Sequence, residues 1–340
     1  MLVLGIESTC DETACAVVKD GRDILSNIVT SQIDLHAEYG GVVPELSCRR
    51  HVDVIIPVIE KALQEAKVTL QEIDLIAVAY GPGLIGALLI GLTAAKTLSL
   101  AINKPFVGVN HIEAHLYAAL MSHPQNITFP CMGVILSGGH TALVRMDDVG
   151  SYTLIGETID DAIGEAFDKV ARMMDLPYPG GPQIEALALN GDRLRFDFKP
   201  GKVKGSPLDF SFSGLKTAVL YGIRGQNCNA TAEQSKLSEQ DKADVAAAFQ
   251  HAAFKDIISK SLLAAKEHNC HTLIFGGGVT NNKTLRQLFS EQAPHLNLLW
   301  PSAGLSLDNA AMIAGLGYHV FKKKGKGDTF ELQAATRIAF

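Results

Sequence analysis

Apolar positions in this chain fall into two kinds of unit, and each kind occurs twice in the same order. The first kind is a hairpin. LVLGIE reads as an apolar strand, STCDET as a polar turn, and ACAVVKDG as an alternating strand that stops at an Asp20-Gly21 turn. MGVILSGGHTALVRMDD repeats the design with Ser137-Gly138-Gly139-His140 at the bend. The second kind is a buried strand, a glycine loop and a helix. It occurs as DLIAVAYGPGLIGALLIGLTAAKTL, with Gly81-Pro82-Gly83, and as HTLIFGGGVTNNKTLRQLF, with Gly276-Gly277-Gly278 and Asn282 near the helix start. Such a duplication predicts an α/β protein of two similar lobes facing each other across a cleft.

The second half is longer because residues 190–245 read as an insertion, containing Lys199, Lys202, Lys204 and the segment DFSFSGLKT. Within it, residues 226–240 are polar enough to read as mobile. KADVAAAFQHAAFKDIISKSLLAAKEH then has helical spacing, and KKKGKGDTF reads as a positive, flexible end. The longest apolar stretch, residues 84–102, is interrupted by Gly86, Gly91, Thr93, Lys96, Thr97 and Ser99. That pattern predicts a buried glycine-rich helix rather than a membrane span.

At 340 residues, 47% hydrophobic and 19% charged, the chain is long enough for two lobes and apolar enough to fill them. A formal net charge of −6 argues against non-specific coating of nucleic acid. Arg49, Arg50 and the lysines of residues 199–204 are the candidates for local phosphate contacts. Six cysteines without a CxxC pair read as reduced thiols, and the chain opens on a strand rather than a leader peptide, so a cytoplasmic location is expected.

His111 and His115 stand in NHIEAHLYAALM, a run of good helix formers. Four residues make slightly more than one turn, so both imidazoles share a face, about 5–6 Å apart at Cβ. This is a chelating geometry. Zinc peptidases place a glutamate next to the first histidine, whereas Glu113 here lies roughly 200° around the helix from either one. Asp308, in GLSLDNAAMIAG, reads equally as a helix N-cap or as a third, remote ligand. Two imidazoles and an oxygen suit iron or zinc with positions open for substrate.

The bend at residues 137–140 lets backbone N–H groups approach an anion, and the turn at residues 8–13 could face it from the other lobe. No G-x-x-x-x-G-K-[ST] loop is present. Asp160, Asp161, Glu165, Asp168 and Lys169 crowd one helical stretch beside an apolar stripe, and Gly180-Gly181-Pro182 starts another helix. Carboxylates such as Asp168 and Glu185 are natural partners for ribose hydroxyls.

Together GIESTCDETACAVV, HAEYGGVVPELSCRRH, GPGLIGALLIGL, NHIEAH, LSGGHTALV, DDAIGEAFDKVARMM, YPGGP, DFSFSGLKT, GGGVTNN and LDNAAMIA resemble the TsaD family of tRNA-modifying enzymes over nearly the whole chain. The resemblance implies two duplicated actin-like (ASKHA, RNase H-like) lobes with a nucleotide and metal cleft between them. The first would span residues 1–108 plus a C-terminal helix near 308–325, and the second residues 109–307 with the 190–245 insertion. It implies transfer of a threonylcarbamoyl group from threonylcarbamoyl-AMP to N6 of adenosine 37 in tRNAs reading codons that start with A, a loop position where bases can be splayed out.

Residue by residue, the resemblance makes His111, His115 and Asp308 ligands of one iron(II) ion, with zinc as the other candidate. Ile135, Leu136, Ser137, Gly138 and Gly139 would contact the phosphate and carbamoyl region; Asp168, Gly181 and Glu185 the ribose; and Asn282 the adenosine. Asn281 stands where the family usually has a small residue. Asp11 and Glu12 match an acidic pair near the reacting centre and are the candidate catalytic residues. ATP or ADP could occupy the same cleft. The implied partners are tRNA, TsaB and TsaE, with a TsaC-type enzyme supplying the adenylate. Two other classes remain open: a zinc endopeptidase, from the histidine pair, and an ATP-binding scaffold of the actin and sugar-kinase superfold, from the duplicated lobes.

Overall fold

Each half of the duplicated pattern folds into a five-stranded mixed sheet, and the two sheets share one strand order. The computed structural model describes residues 1–123, 125, 127–224 and 237–338, so most of the polar 226–240 stretch lies outside the described residues. The first sheet holds β1 (Leu2–Glu7), β2 (Glu12–Lys19), β3 (Asp23–Ser31), β4 (Leu75–Gly81) and β5 (Phe106–Asn110), in the order β3-β2-β1-β4-β5. β1 runs antiparallel to β2 and parallel to β4, and β4 runs parallel to β5. The second sheet holds β6 (Cys131–Leu136), β7 (Thr141–Asp148), β8 (Ser151–Glu157), β9 (Thr272–Gly276) and β10 (Asn297–Leu299), in the order β8-β7-β6-β9-β10. Both hairpins and both strand–loop–helix units are present as expected. β3, β5, β8 and β10 complete the sheets.

Contacts divide the chain into two compact units: Met1–Ile127, Met146–Tyr152 and Leu299–Phe340, then Thr128–Arg145 and Thr153–Leu298. In the first unit, the short α1 (Ile33–Ala37) follows β3, and one face of the sheet carries α2 (Pro44–Ala66) and α3 (Ile85–Ile102). Leu4, Ile6, Cys15 and Val17 alternate toward this side and pack on Val54, Ile55, Val58 and Ile59 of α2 and Leu92 of α3. Gly5 points to the other face, where it lets α10 (Ala310–Lys324) lie against β1 at Ala310 and Ala314. α4 (His111–Ser122) follows β5 and packs on α10 within this same unit. The histidine helix therefore belongs with the first sheet, and the division falls near residue 127 rather than 108.

Two expectations need correction. Residues 84–102 do form α3, but it is buried only on the Ala87, Leu88, Gly91, Leu92, Ala95 and Ser99 side, while Ile85 and Leu89 are 48% and 50% exposed. It is long and apolar enough to cross a membrane by composition, and its small-residue side packs on β4 and α2. The C-terminal end is docked rather than flexible. Asp328 N donates to Phe106 O at 2.8 Å, Gly108 N donates to Asp328 Oδ2 at 2.8 Å, Lys96 Nζ donates to Leu332 O, and Ala335 N donates to Tyr80 O. β5 is an edge strand whose outward amides and carbonyls need partners, and this segment supplies them.

The second unit adds α5 (Ile163–Met173), α6 (Gly180–Ala188), α7 (Ser213–Arg224), α8 (Glu239–Glu267) and α9 (Lys283–Gln292). α7 gives the insertion an ordered element. Asp160 and Asp161 precede α5 rather than lying on it. Asp160 accepts the amides of Phe212 and Ser213 at the start of α7, and Asp161 pairs with Lys169 and Lys216 at 2.6 and 2.5 Å. They pin the insertion to the segment between β8 and α5.

Candidate metal centre

α4 begins where β5 ends. Asn110 leaves the strand and caps the helix, its Oδ1 accepting the Ile112 amide at 3.0 Å, so His111 occupies the first helical position and His115 the next turn. Both imidazoles are buried, with ring centroids 4.6 Å apart. Asp308 meets them from the loop before α10: its Oδ1 is 3.1 Å from His115 Nε2 and 3.6 Å from His111 Nε2. The two readings of Asp308 are now separated, because the cap of α10 is Asn309.

These residues fit a divalent metal. Candidate donor atoms of His111, His115 and Asp308 all lie within 4.8 Å of one another. Ligands held at about 2.1 Å from one ion stand about 3–3.5 Å apart, close to the spacings seen. Neither ring nitrogen of buried His115 makes a hydrogen bond among the described residues. Burial alone would push the His111 imidazole toward neutrality, but Glu7 and Asp308 outweigh it and raise its pKa to about 9. Two carboxylates thus draw a positive charge to this point, as a proton or as an ion.

Glu7 went unrecognised in the sequence. It ends β1 fully buried, with Oε2 2.9 Å from His111 Nδ1 and Oε1 accepting the Thr9 amide at 2.6 Å. The available signal was a lone acid closing an otherwise apolar strand. Asp11 ends the turn that follows and Glu12 opens β2. Burial, then the charges of Asp11 and Asp308, push the Glu12 carboxyl up to about 10. Behind them the Cys10 carbonyl accepts hydrogen bonds from His51 Nε2 at 3.0 Å and from Ser47 Oγ, and Thr13 Oγ1 meets His51 Nδ1 at 2.7 Å.

Glu113 takes no part in this cluster. It lines a separate cavity of about 310 Å³ with Gly150, Leu316, His319 and Lys323, where burial raises its carboxyl to about 7. The first glycine loop is a buttress: Leu84 N donates to Thr9 O at 2.8 Å, and a Cβ on Gly83 would meet that same oxygen at 2.5 Å.

The other expected residues lie in the second unit. Ile135 and Leu136 end β6, and the bend after them is held by Ser137 N donating to His140 O at 2.9 Å. Ser137 O and Gly138 O accept the amides of Gly164 and Glu165 at the start of α5. Gly277 and Gly164 carry no Cβ because Leu136 O and Gly138 Cα approach them. Around Gly138, Gly139 and Gly181, by contrast, the space a Cβ would enter is open. Asp168 Oδ1 accepts the Gly180 amide at 2.7 Å, beside Gly181. Glu185 Oε1 accepts the Lys283 amide at 2.7 Å, where Asn282 caps α9 and donates to Gln250 at 2.9 Å.

A family model described as "TsaD: tRNA N6-adenosine threonylcarbamoyltransferase" matches residues 23–315. A protein of Protochlamydia amoebophila named tRNA N6-adenosine threonylcarbamoyltransferase is 67% identical over 99% of this chain and 98% of its own length. A Chlamydia caviae protein of the same name is 52% identical over 94% of this chain and 92% of its own length. Among solved structures, full-length HypF in its phosphate- and nucleotide-bound form superposes with a TM-score of 0.62 at 13% identity, covering 94% of this chain and 55% of that one. Component A of the Acidaminococcus fermentans (R)-2-hydroxyglutaryl-CoA dehydratase gives 0.54 at 13% identity, covering 96% and 100%. These two likenesses bear on the fold alone, an α/β fold of the actin-like class.

Proposed function

The chain belongs to the TsaD family of tRNA N6-adenosine threonylcarbamoyltransferases, and on that premise we propose that His111, His115 and Asp308 hold the metal its reaction uses. The reaction is transfer of a threonylcarbamoyl group to N6 of adenosine in tRNA. The observation that carries the metal reading is the convergence of three donor side chains, two of them buried imidazoles, within 4.8 Å. Iron(II) is the proposed ion, with zinc compatible with the same donors. Bound there, it supplies Lewis acidity toward the oxygens of the threonylcarbamoyl group.

The donor in this reading is threonylcarbamoyl-AMP, a mixed anhydride whose acyl carbon is already activated by its leaving group. The protein's main work is then positioning it beside N6. The open spaces at Gly138, Gly139 and Gly181 support phosphate and ribose contacts there, together with Ile135, Leu136 and Ser137. Asp168, Glu185 and Asn282 hold the surrounding loops through backbone amides and would reach ribose and adenosine by adjusting those bonds. Glu12, protonated near neutrality beside Asp11, is suited to passing a proton rather than accepting one at the outset. The family further suggests TsaB and TsaE as complex partners, a TsaC-type enzyme as the source of the adenylate, and a cytoplasmic setting.

An endopeptidase reading finds no support, because Glu113 lies in a different cavity from the imidazoles. The test is nucleoside mass analysis of tRNA incubated with the chain, threonylcarbamoyl-AMP and those partners. Loss of threonylcarbamoyladenosine in His111→Ala, His115→Ala and Asp308→Ala, together with loss of bound metal, is expected. Undiminished product from all three variants would refute the metal reading.

A further inference from the structure

We infer that Glu7 is the positioning residue of the metal centre: its carboxylate selects the His111 tautomer that offers Nε2 to the ion. The inference rests on the metal reading above and deepens it. A fully buried carboxylate needs partners, and Glu7 has one for each oxygen, the Thr9 amide at 2.6 Å and His111 Nδ1 at 2.9 Å. Since an ionised carboxylate only accepts, Nδ1 must carry the proton. The proton that a metal displaces is then the one on Nε2, whose lone pair faces the side of the ring where Asp308 Oδ1 stands 3.6 Å away.

The arrangement is rigid at its far end. Glu7 closes β1, in register with Ala14 of β2, and the Thr9 carbonyl accepts the Leu84 amide from the first glycine loop. Thr9 Oγ1 also lies 3.4 Å from His111 Nδ1. His115 has no such device, for its Nδ1 is buried without a hydrogen-bond partner among the described residues. One ligand is therefore oriented by a second carboxylate, and the other has no such partner on its Nδ1 among the described residues.

Charge points the same way. Two neutral imidazoles with Glu7 and Asp308 carry a formal −2, which a divalent ion cancels within a largely buried cluster. Removing the Glu7 charge would leave the loaded site positive and His111 free to choose the other tautomer. Outer-sphere carboxylates on metal-bound histidines are typically worth about 10–100-fold in affinity.

The test titrates metal-free, full-length protein with Co²⁺ against a chelating dye and follows its visible d–d bands. Glu7→Gln keeps the acceptor for Thr9 and is expected to bind Co²⁺ about 10–100-fold more weakly, with an altered spectrum. If that variant does not fold, ¹⁵N-histidine NMR of the wild-type protein with Zn²⁺ decides: His111 should show a proton on Nδ1 and zinc on Nε2. Wild-type-like Co²⁺ affinity and spectrum in Glu7→Gln, or zinc on Nδ1, would overturn the role of Glu7 alone. Wild-type protein that takes up no Co²⁺, or takes it up equally after His115→Ala, would overturn the metal reading and this inference together.

Discussion

Asn309 Oδ1 accepts the Met312 amide at 3.1 Å while the carboxylate of Asp308, one residue earlier, stands the same 3.1 Å from His115 Nε2. Asn309 also donates to the carbonyls of Leu305 and Leu307, at 3.2 and 2.8 Å. One buried side chain thus starts α10 and holds the loop that delivers Asp308 to the imidazoles.

Asn309→Ala should therefore lower both stability and metal affinity. The lost cap costs about 1 kcal/mol and the stranded Leu305 carbonyl, whose bond is buried, about 1–3 kcal/mol more. Urea unfolding and Co²⁺ titration would measure the two effects. Asn309→Asp retains the cap acceptor but not the donated bonds, so most of the affinity loss should persist in it.

Metal uptake should displace a proton from His111. In the metal-free protein Glu7 and Asp308, acting against burial, raise the His111 pKa from 6.5 to about 9. The stability this contributes is complete below pH 6.5 and is lost as pH rises through 9. Metal affinity should move oppositely, increasing up to about pH 9 and then levelling. Calorimetry in buffers of different ionisation enthalpy should count about one proton released from this group near pH 7; a count of zero would contradict the arrangement.

Glu113→Gln should stabilise the protein at pH 8. The folded-state pKa is raised from 4.5 to about 7, chiefly by burial, so stability is full below pH 4.5 and lost as pH rises through 7. The gain above pH 8 should be on the order of 2 kcal/mol and vanish near pH 4. Threonylcarbamoyladenosine formation should continue in this variant, whereas a peptidase base would not tolerate the change.

Two glycines in the second unit should behave oppositely when replaced by alanine. Around Gly181 the added Cβ meets nothing within 4 Å, so stability should hold while KM for threonylcarbamoyl-AMP rises about tenfold or more. At Gly164 the Cβ would stand 2.7 Å from Gly138 Cα and 2.8 Å from Ser137 O, both backbone atoms. That variant should lose about 1–3 kcal/mol of stability. Thermal melts beside steady-state kinetics would separate the two, and a destabilised Gly181→Ala would argue against open space for a ligand there.

Much of the architecture was legible because it depends on local periods. β1, β2, β4, β6, β7 and β9 announce themselves as apolar runs closed by glycine or small polar residues, and each is buried along most of its length. β3 was not legible: its residues are largely exposed or half-buried at a sheet edge, where no apolar face is demanded. The docked C-terminal segment was missed for a related reason. Its lysines read as solvated, while Asp328 and the backbone of Leu332 and Ala335, which do the docking, have no local signature.

The sequence by itself determined that His111 and His115 share a helix face, that Glu113 does not, and that glycines mark the loops after the strands. Those conclusions follow from the 3.6- and 2-residue repeats of the backbone. Only the tertiary structure decided that Asn309 caps and Asp308 faces the imidazoles, and that Glu7 meets His111 across 104 residues of chain. It also decided which glycines are packed and which stand open. Such pairings depend on which strand ends and helix starts the fold brings together, and no repeat along the chain encodes that distance.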